Sequence, residues 1–239
     1  MESNPLQRVP EWYVSRLYKF TGSEFYKLMT GGRRDMTPDE LEKEKKAGGK
    51  RKTIDTLFGE TALTYIDEKL TEIITNGTSI DYTQFSSVET EWGKYWESYA
   101  VEEFCKRTGL TVKEHGFIDI SERFGCSPDG ETSDNGILEI KCPYKPVLHT
   151  KNLRLFSPAD LKKVHEGYYI QMQIEMIALK KDFGYFVSYD PRCSPLFQLK
   201  ILQIPRDEEI IQEILMRKEE ALKILNKEMQ HLIEICQAA

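Results

Sequence analysis

Cys126-Ser-Pro-Asp-Gly130, a short polar turn, and then Ile137-Leu-Glu-Ile-Lys-Cys-Pro143 are the stretch that decides how this chain is read. Asp129 sits in the turn, while Glu139 and Lys141 interrupt a run that is otherwise apolar. Side chains alternate along a strand, so Glu139 and Lys141 share one face and Leu138, Ile140 and Cys142 point to the other. Two carboxylates and an amine at the edge of a core are costly to hold unless they bind a cation or do chemistry. Paired carboxylates suit a hard divalent ion such as magnesium, and a lysine beside them can orient water and neutralise a phosphate. That is the equipment of metal-assisted phosphodiester hydrolysis.

Outward from this stretch, apolar periodicity predicts amphipathic helices over 53–75 and 87–107, the second closed by Gly109, and further helices over 165–179 and 206–235. Strands are expected over 110–120, in a short segment ending at Ser127, and over 136–142, 183–189 and 196–204. Ser23 before Glu24 and an apolar run reads as a helix N-cap. Residues 31–52 carry four glycines, many charges and few apolar residues, which predicts a mobile loop with one short helix from Thr37. The order of elements gives an α/β fold with a mixed central β-sheet flanked by helices, in one domain over 1–239.

The 239 residues are 40% hydrophobic and 30% charged, the ordinary balance of a globular protein. No apolar run approaches the roughly 20 residues that span a bilayer, and Met1-Glu-Ser-Asn-Pro-Leu6 lacks the basic and apolar regions of a leader, so a cytoplasmic protein without a membrane partner is expected. Five scattered cysteines with no CxxC pair point to reduced thiols rather than a zinc ribbon or iron–sulfur cluster. Four histidines without HxH or HExxH spacing exclude the common zinc-hydrolase patterns, and no phosphate-binding GxxxxGK[ST] loop is present. A formal net charge of −6 argues against a generic polyanion binder but not against a nuclease, because only the local field meets DNA.

Asp129, Glu139 and Lys141 together resemble the PD-(D/E)xK nuclease superfamily, whose core is restriction-endonuclease-like. Ser127-Pro128-Asp129-Gly130 followed by Leu138-Glu139-Ile140-Lys141-Cys142-Pro143 narrows the resemblance to the lambda exonuclease or YqaJ viral-recombinase family. Trp92-Gly93-Lys94 with Glu97, then Tyr168, Gln171 and Gln173, then Tyr189-Asp190-Pro191-Arg192 and Arg206-Asp207-Glu208, are similar to family motifs in the same order. Arg16 and Ser23 fall at the family's spacing for a 5′-phosphate-binding arginine and serine. The resemblance spans roughly residues 11–215.

The resemblance implies that Asp129, Glu139 and the backbone carbonyl of Ile140 ligate magnesium (or manganese), with Glu97 as an additional metal-site carboxylate. It implies that Lys141 contacts the attacking water or the scissile phosphate, with Gln171 and Tyr168 nearby. Gln173 is turned about 200° from Gln171 by a two-residue helical step. Asp119 reads equally as a site acid or as a surface acid at a strand end. The implied activity is a 5′→3′ exonuclease on double-stranded DNA with 5′-phosphorylated ends, leaving 3′ single-stranded tails for recombination. The resemblance also implies phage or prophage origin, a homotrimeric ring around the duplex and a single-strand annealing protein as partner. The rivals are a structure-specific or restriction-type endonuclease on the same fold and, in a different class, a non-catalytic DNA-binding protein. The pair Arg16 and Ser23 speaks against the first, since an endonuclease need not read a terminal phosphate. The intact Asp129, Glu139 and Lys141 speak against the second.

Overall fold

The computed structural model describes residues 10–79 and 87–238, so the first six residues read above for a leader lie outside the described part. It starts with a short helix α1 (Pro10–Ser15) and strand β1 (Phe20–Thr21), followed by a 3₁₀ turn over Phe25–Met29. The turn corrects the expected Ser23 cap: Glu24 holds the cap position, and no side chain caps the turn. Strand β2 (Gly32–Asp35), helix α2 (Pro38–Lys46) and strand β3 (Thr53–Thr56) come next. The helix expected from Thr37 is present, and the rest of 31–52 is more regular than its composition suggests. Thr37 and Glu40 form a reciprocal capping box, and β2 pairs antiparallel with β3. Arg34 binds both carboxylate oxygens of Glu40 at 2.8 Å, closing the hairpin onto the helix.

Helix α3 (Glu60–Ile74) therefore starts seven residues later than the periodicity over 53–75 implies. The reason is a close backbone crossing. The Gly59 amide donates to Thr30 O at 3.0 Å, and a Cβ at Gly59 would lie 2.5 Å from Gly31 O. Only glycine fits there, and the chain cannot run through it as helix.

Helix α4 (Val88–Thr108) agrees with expectation: Ser87 caps its N-terminus and Gly109, at φ 75°, closes it. Five strands follow: β4 (Val112–Lys113), β5 (Ile118–Ser121), β6 (Phe124–Cys126), β7 (Gly130–Thr132) and β8 (Ile137–Lys141). The expected strand over 110–120 is thus two short strands, and β7 was hidden in what reads as a turn. Two short helices, α5 (Pro146–Asn152) and α6 (Pro158–Val164), precede α7 (Glu166–Leu179). Strands β9 (Phe183–Tyr189) and β10 (Leu199–Pro205) lead to the long helix α8 (Glu208–Ala238).

The main sheet has the order β10-β9-β8-β7-β4. Strand β8 runs parallel to β9 and antiparallel to β7, so the sheet is mixed and β8 is central. Leu138, Ile140 and Cys142 join Ala100 and Phe104 of α4 in one core layer. Ile137 packs on the opposite face with Tyr169, Met172 and Met176 of α7. The alternation read from the sequence is therefore real, and it turns Glu139 and Lys141 toward α7. A second sheet, β1-β6-β5, leans on a third core layer built from α3, α7, α8 and the 3₁₀ turn.

In that third layer Phe124, 1% exposed, packs its ring 5.2 Å from Phe25 while its strand joins β1 to β5. Phe124→Ala is expected to cost about 3–5 kcal/mol of stability, as for other buried aromatic truncations. Thermal unfolding in the absence of metal reads this directly; a change below about 1 kcal/mol would mean that the layer does not carry the fold.

Candidate active site

Asp129 leaves the turn just before β7, and its Oδ2 accepts the Ile140 N–H at 2.7 Å. That bond fixes the turn carboxylate beside the strand that bears Glu139 and Lys141. Glu139 is wholly buried, and Lys141 forms an ion pair with it. Burial, with the charges of Glu139 and Glu97, holds the Asp129 carboxyl well above its usual range. Burial alone would depress the Lys141 ammonium, but Glu139 and Asp129 outweigh it and raise its pKa well above the ordinary value. Lys141 is thus a fixed cation at neutral pH, suited to stabilising negative charge rather than taking a proton. Its Nζ lies 4.6 Å from the centre of the Tyr168 ring, which also stacks with His165 and Phe186.

Helix α7 supplies the opposite wall. Gln171 is buried and its Nε2 donates to Glu175 Oε1 at 2.9 Å. Gln173 faces away, as the helical step requires: it donates to Pro205 O at 3.1 Å and accepts the Asp207 N–H at 2.8 Å. It anchors the start of α8 rather than the site. Glu175 was not foreseen. It is wholly buried, and burial with the charges of Glu139 and Asp129 raises its carboxyl well above the usual range. The available signal was an acid one turn after Gln171, enclosed by Ile174 and Met176.

Do these residues fit a divalent cation? Neither oxygen of Glu139 is aligned with a hydrogen-bond donor despite the Lys141 pairing, and Glu175 Oε2 has none either. The carboxyl groups of Glu139 and Glu175 approach within hydrogen-bonding reach, a gap that a proton on Glu175 or a cation can bridge. Glu139 and Asp129 face the Lys141 ammonium, and Glu97 and Glu175 in turn act on these two carboxyl groups. Among the described residues, no three His, Cys, Asp or Glu side chains form a ready-made metal cluster. The orphaned buried oxygens and the surplus of negative charge nevertheless match a hard cation held by two carboxylates and a carbonyl.

A cavity of about 980 Å³ opens beside these groups, lined by Arg16, Lys27, Glu97, Ile140 and Lys141 among others. Arg16 therefore shares one chamber with Glu97 and Lys141, while Asp129 and Glu139 lie behind its wall. Its guanidinium lies 4.4 Å from the centre of the Trp12 ring, and its Nη2 donates to Ser23 Oγ at 3.1 Å. Ser23 is thus a partner of Arg16, not a helix cap. Trp12 Nε1 in turn donates to Ser127 Oγ at 2.8 Å, tying α1 to the turn that carries Asp129. The connection from α1 to β1 passes through Tyr18 at φ 65°, held by Glu72, which accepts the Tyr18 N–H at 2.8 Å and is paired with Lys69.

Residues outside the motifs, together with Asp190 and Arg192, brace the site from outside. Ser188 lies opposite Lys141 in the β8–β9 register and receives a hydrogen bond from Asn152 at 2.9 Å. His149 bridges Ser188 and Phe197 O through its two ring nitrogens, at 2.8 and 2.7 Å, so this buried histidine is satisfied without a metal. Arg192 clasps Asp190, lies 4.3 Å from the centre of the Trp92 ring and donates to Pro143 O. Asp119 is exposed and paired with Lys19 at 2.5 Å, which favours its reading as a surface acid.

Comparison with known proteins shows the family and the fold. The family model of the YqaJ-like viral recombinase domain matches residues 11–181. An alkaline exonuclease from Laribacter hongkongensis, LHK-Exo, is 26% identical, with a TM-score of 0.73 over 97% of this chain and 100% of that one. Its complex with dAMP gives a TM-score of 0.75 over the same coverage. A phage-related exonuclease from Haemophilus somnus 129PT is 17% identical, with a TM-score of 0.65 over 92% and 99% of the two chains, a likeness of fold. No curated protein sequence matches.

Proposed function

The chain belongs to the YqaJ-like viral recombinase domain family, and from that premise we propose that it is a magnesium-dependent exonuclease degrading the 5′-ended strand of duplex DNA. That it is a nuclease acting on DNA follows from family membership and from its likeness, over nearly the whole chain, to an alkaline exonuclease. Its fold is of the PD-(D/E)xK type. The polarity, the ion, the site residues and the partners are the proposal.

The observation that carries it is the shared chamber. Arg16 and Lys141 line one cavity, with Ser23 bonded to the first and Glu139 paired with the second. An arginine and a hydroxyl are suited to hold a terminal phosphate while the carboxylate end of the chamber acts on a phosphodiester bond. Asp129, Glu139 and the Ile140 carbonyl would hold Mg²⁺, or Mn²⁺ in its place, with Glu97 completing the set. When bound, the ion supplies Lewis-acid charge on the scissile phosphate and acidifies an attacking water. Lys141 adds a positive charge where the pentacoordinate phosphate gains negative charge. The Tyr168 ring keeps the ammonium from swinging away, and the Gln171 amide lines the wall behind it. The product would be a 3′ single-stranded tail, the substrate of an annealing protein. A homotrimeric ring would account for processive work by a chain whose net charge is −6. Among the described residues, no helix is long and apolar enough to cross a membrane.

Digestion of end-labelled linear duplex tests the reading. With Mg²⁺, 5′-phosphorylated ends should be degraded at least tenfold faster than 5′-hydroxyl ends, and closed circles should survive. Arg16→Ala should erase most of that preference while circles remain uncut. Equal rates on both ends, with circles cut by the wild type, would instead favour the endonuclease reading.

A further inference from the structure

We propose that Glu175 is a positioning residue of the metal site: from the buried face of α7 it holds the Gln171 amide and the Glu139 carboxylate in the orientation that receives a divalent ion. This rests on the reading of Asp129 and Glu139 as metal ligands, and it adds a residue that the motifs around them do not include.

Four observations lead to it. Glu175 lies four residues after Gln171, one turn along the same helical face, and α7 packs that face on β8. It is wholly buried in a run where Met172, Ile174 and Met176 are equally buried, so packing alone would favour an apolar side chain. Its Oε1 accepts from Gln171 Nε2, which fixes which way round that amide is held. Its Oε2 finds no donor, and its carboxyl group comes within hydrogen-bonding reach of Glu139, whose own oxygens are unaligned with any donor.

Two acceptor groups in contact define a gap that only a hydrogen or a cation can bridge. Glu175 thus limits where the Glu139 carboxylate can rotate. It leaves the strand side, toward Asp129, as the place where an added cation meets both carboxylates. A residue in this position does not touch DNA. It sets how well the ligands are arranged before the ion arrives, which is the usual task of the shell behind a metal's ligands.

The test is titration of MnCl₂ into the metal-free full chain by calorimetry, without DNA, on the wild type, Glu175→Met, Glu175→Gln and Asp129→Asn. Glu175→Met keeps the volume and removes both acceptors; it should fold with an unchanged or higher melting temperature and bind Mn²⁺ at least tenfold more weakly. Glu175→Gln can still accept from Gln171 and can donate to Glu139, so it should bind within threefold of wild type. Asp129→Asn should lose measurable binding. Glu175→Met binding within threefold of wild type, or Glu175→Gln binding as weakly as Glu175→Met, would overturn the positioning role while the metal site stands. If Asp129→Asn binds as wild type, the ligand assignment itself fails and the role of Glu175 falls with it. A merely space-filling Glu175 would leave the Mn²⁺ affinity alone in both Glu175 variants.

Discussion

Lys141→Ala should bind duplex DNA within about threefold of wild type and cleave it on the order of 10³-fold more slowly, the scale of losing one donor to a developing oxyanion or more. The ammonium is paired with Glu139 and sits against the Tyr168 ring, so its place is set before substrate enters. Because its pKa is held high, its contribution is charge, and arginine is a poor substitute: a planar fork does not fit where a point charge is packed on a ring face. Removing it also withdraws a cation from Glu139 and Asp129. Mn²⁺ affinity in Lys141→Ala should therefore stay level or rise while turnover collapses. Single-turnover cleavage alongside metal titration separates the two quantities. Wild-type-like turnover would remove Lys141 from the mechanism.

Asp129→Asn should produce the opposite pattern in metal binding and an equal loss of activity, on the order of 10³-fold or more, as when a principal catalytic group is removed. The amide oxygen can still accept the Ile140 N–H, which the carboxylate now receives at 2.7 Å, so the turn keeps its shape. What disappears is an acid whose ionisation is opposed by burial and by the charges of Glu139 and Glu97. Without metal, the variant should accordingly melt at a higher temperature than wild type, while the stabilisation that Mg²⁺ or Mn²⁺ confers on the wild type is lost. Melting curves with and without metal read both effects. A lower melting temperature without metal would mean that Asp129 serves the fold rather than the ion. Together the two variants divide the site into a part that holds the cation and a part that uses it.

Much of this was legible because the informative residues break a pattern. Glu139 and Lys141 stand out on an apolar strand, Gly109 stops α4, and the β8 alternation sorts one acid and one amine onto the face toward α7. Gln171 and Tyr168 follow from the same helical period, which also turns Gln173 away from the site and into the base of α8. Other features could not be read because their cause is distant in sequence. The late start of α3 depends on Gly59 meeting Gly31, and Ser23 is claimed by Arg16 rather than by the turn that follows it. Strand β7 is three residues whose extended form is imposed by β4 and β8 on either side. Residues 31–52 look like a solvated loop because their order comes from charge pairs, Arg34 with Glu40 and Arg51 with Glu44, which composition counts only as polarity. Glu175 shares the period that revealed Gln171, but its meaning lies in Glu139, thirty-six positions earlier.

Helix α8 packs Ile214, Ala221 and Leu225 into the layer that also holds Phe25, Leu28 and Tyr65. Its Arg217 donates to the carbonyls of Leu28 and Leu57 at 3.0 and 2.7 Å. It is also translated after every residue assigned to the site. A growing chain on the ribosome, with Arg16 through Gln171 already made, still lacks the beam that braces the turn after Ser23 and the helix bearing Tyr65. The layer beneath the turn after Ser23 is therefore completed by the last-made helix, and a chain broken before α8 lacks the packing of Ile214, Ala221 and Leu225 and both carbonyl contacts of Arg217.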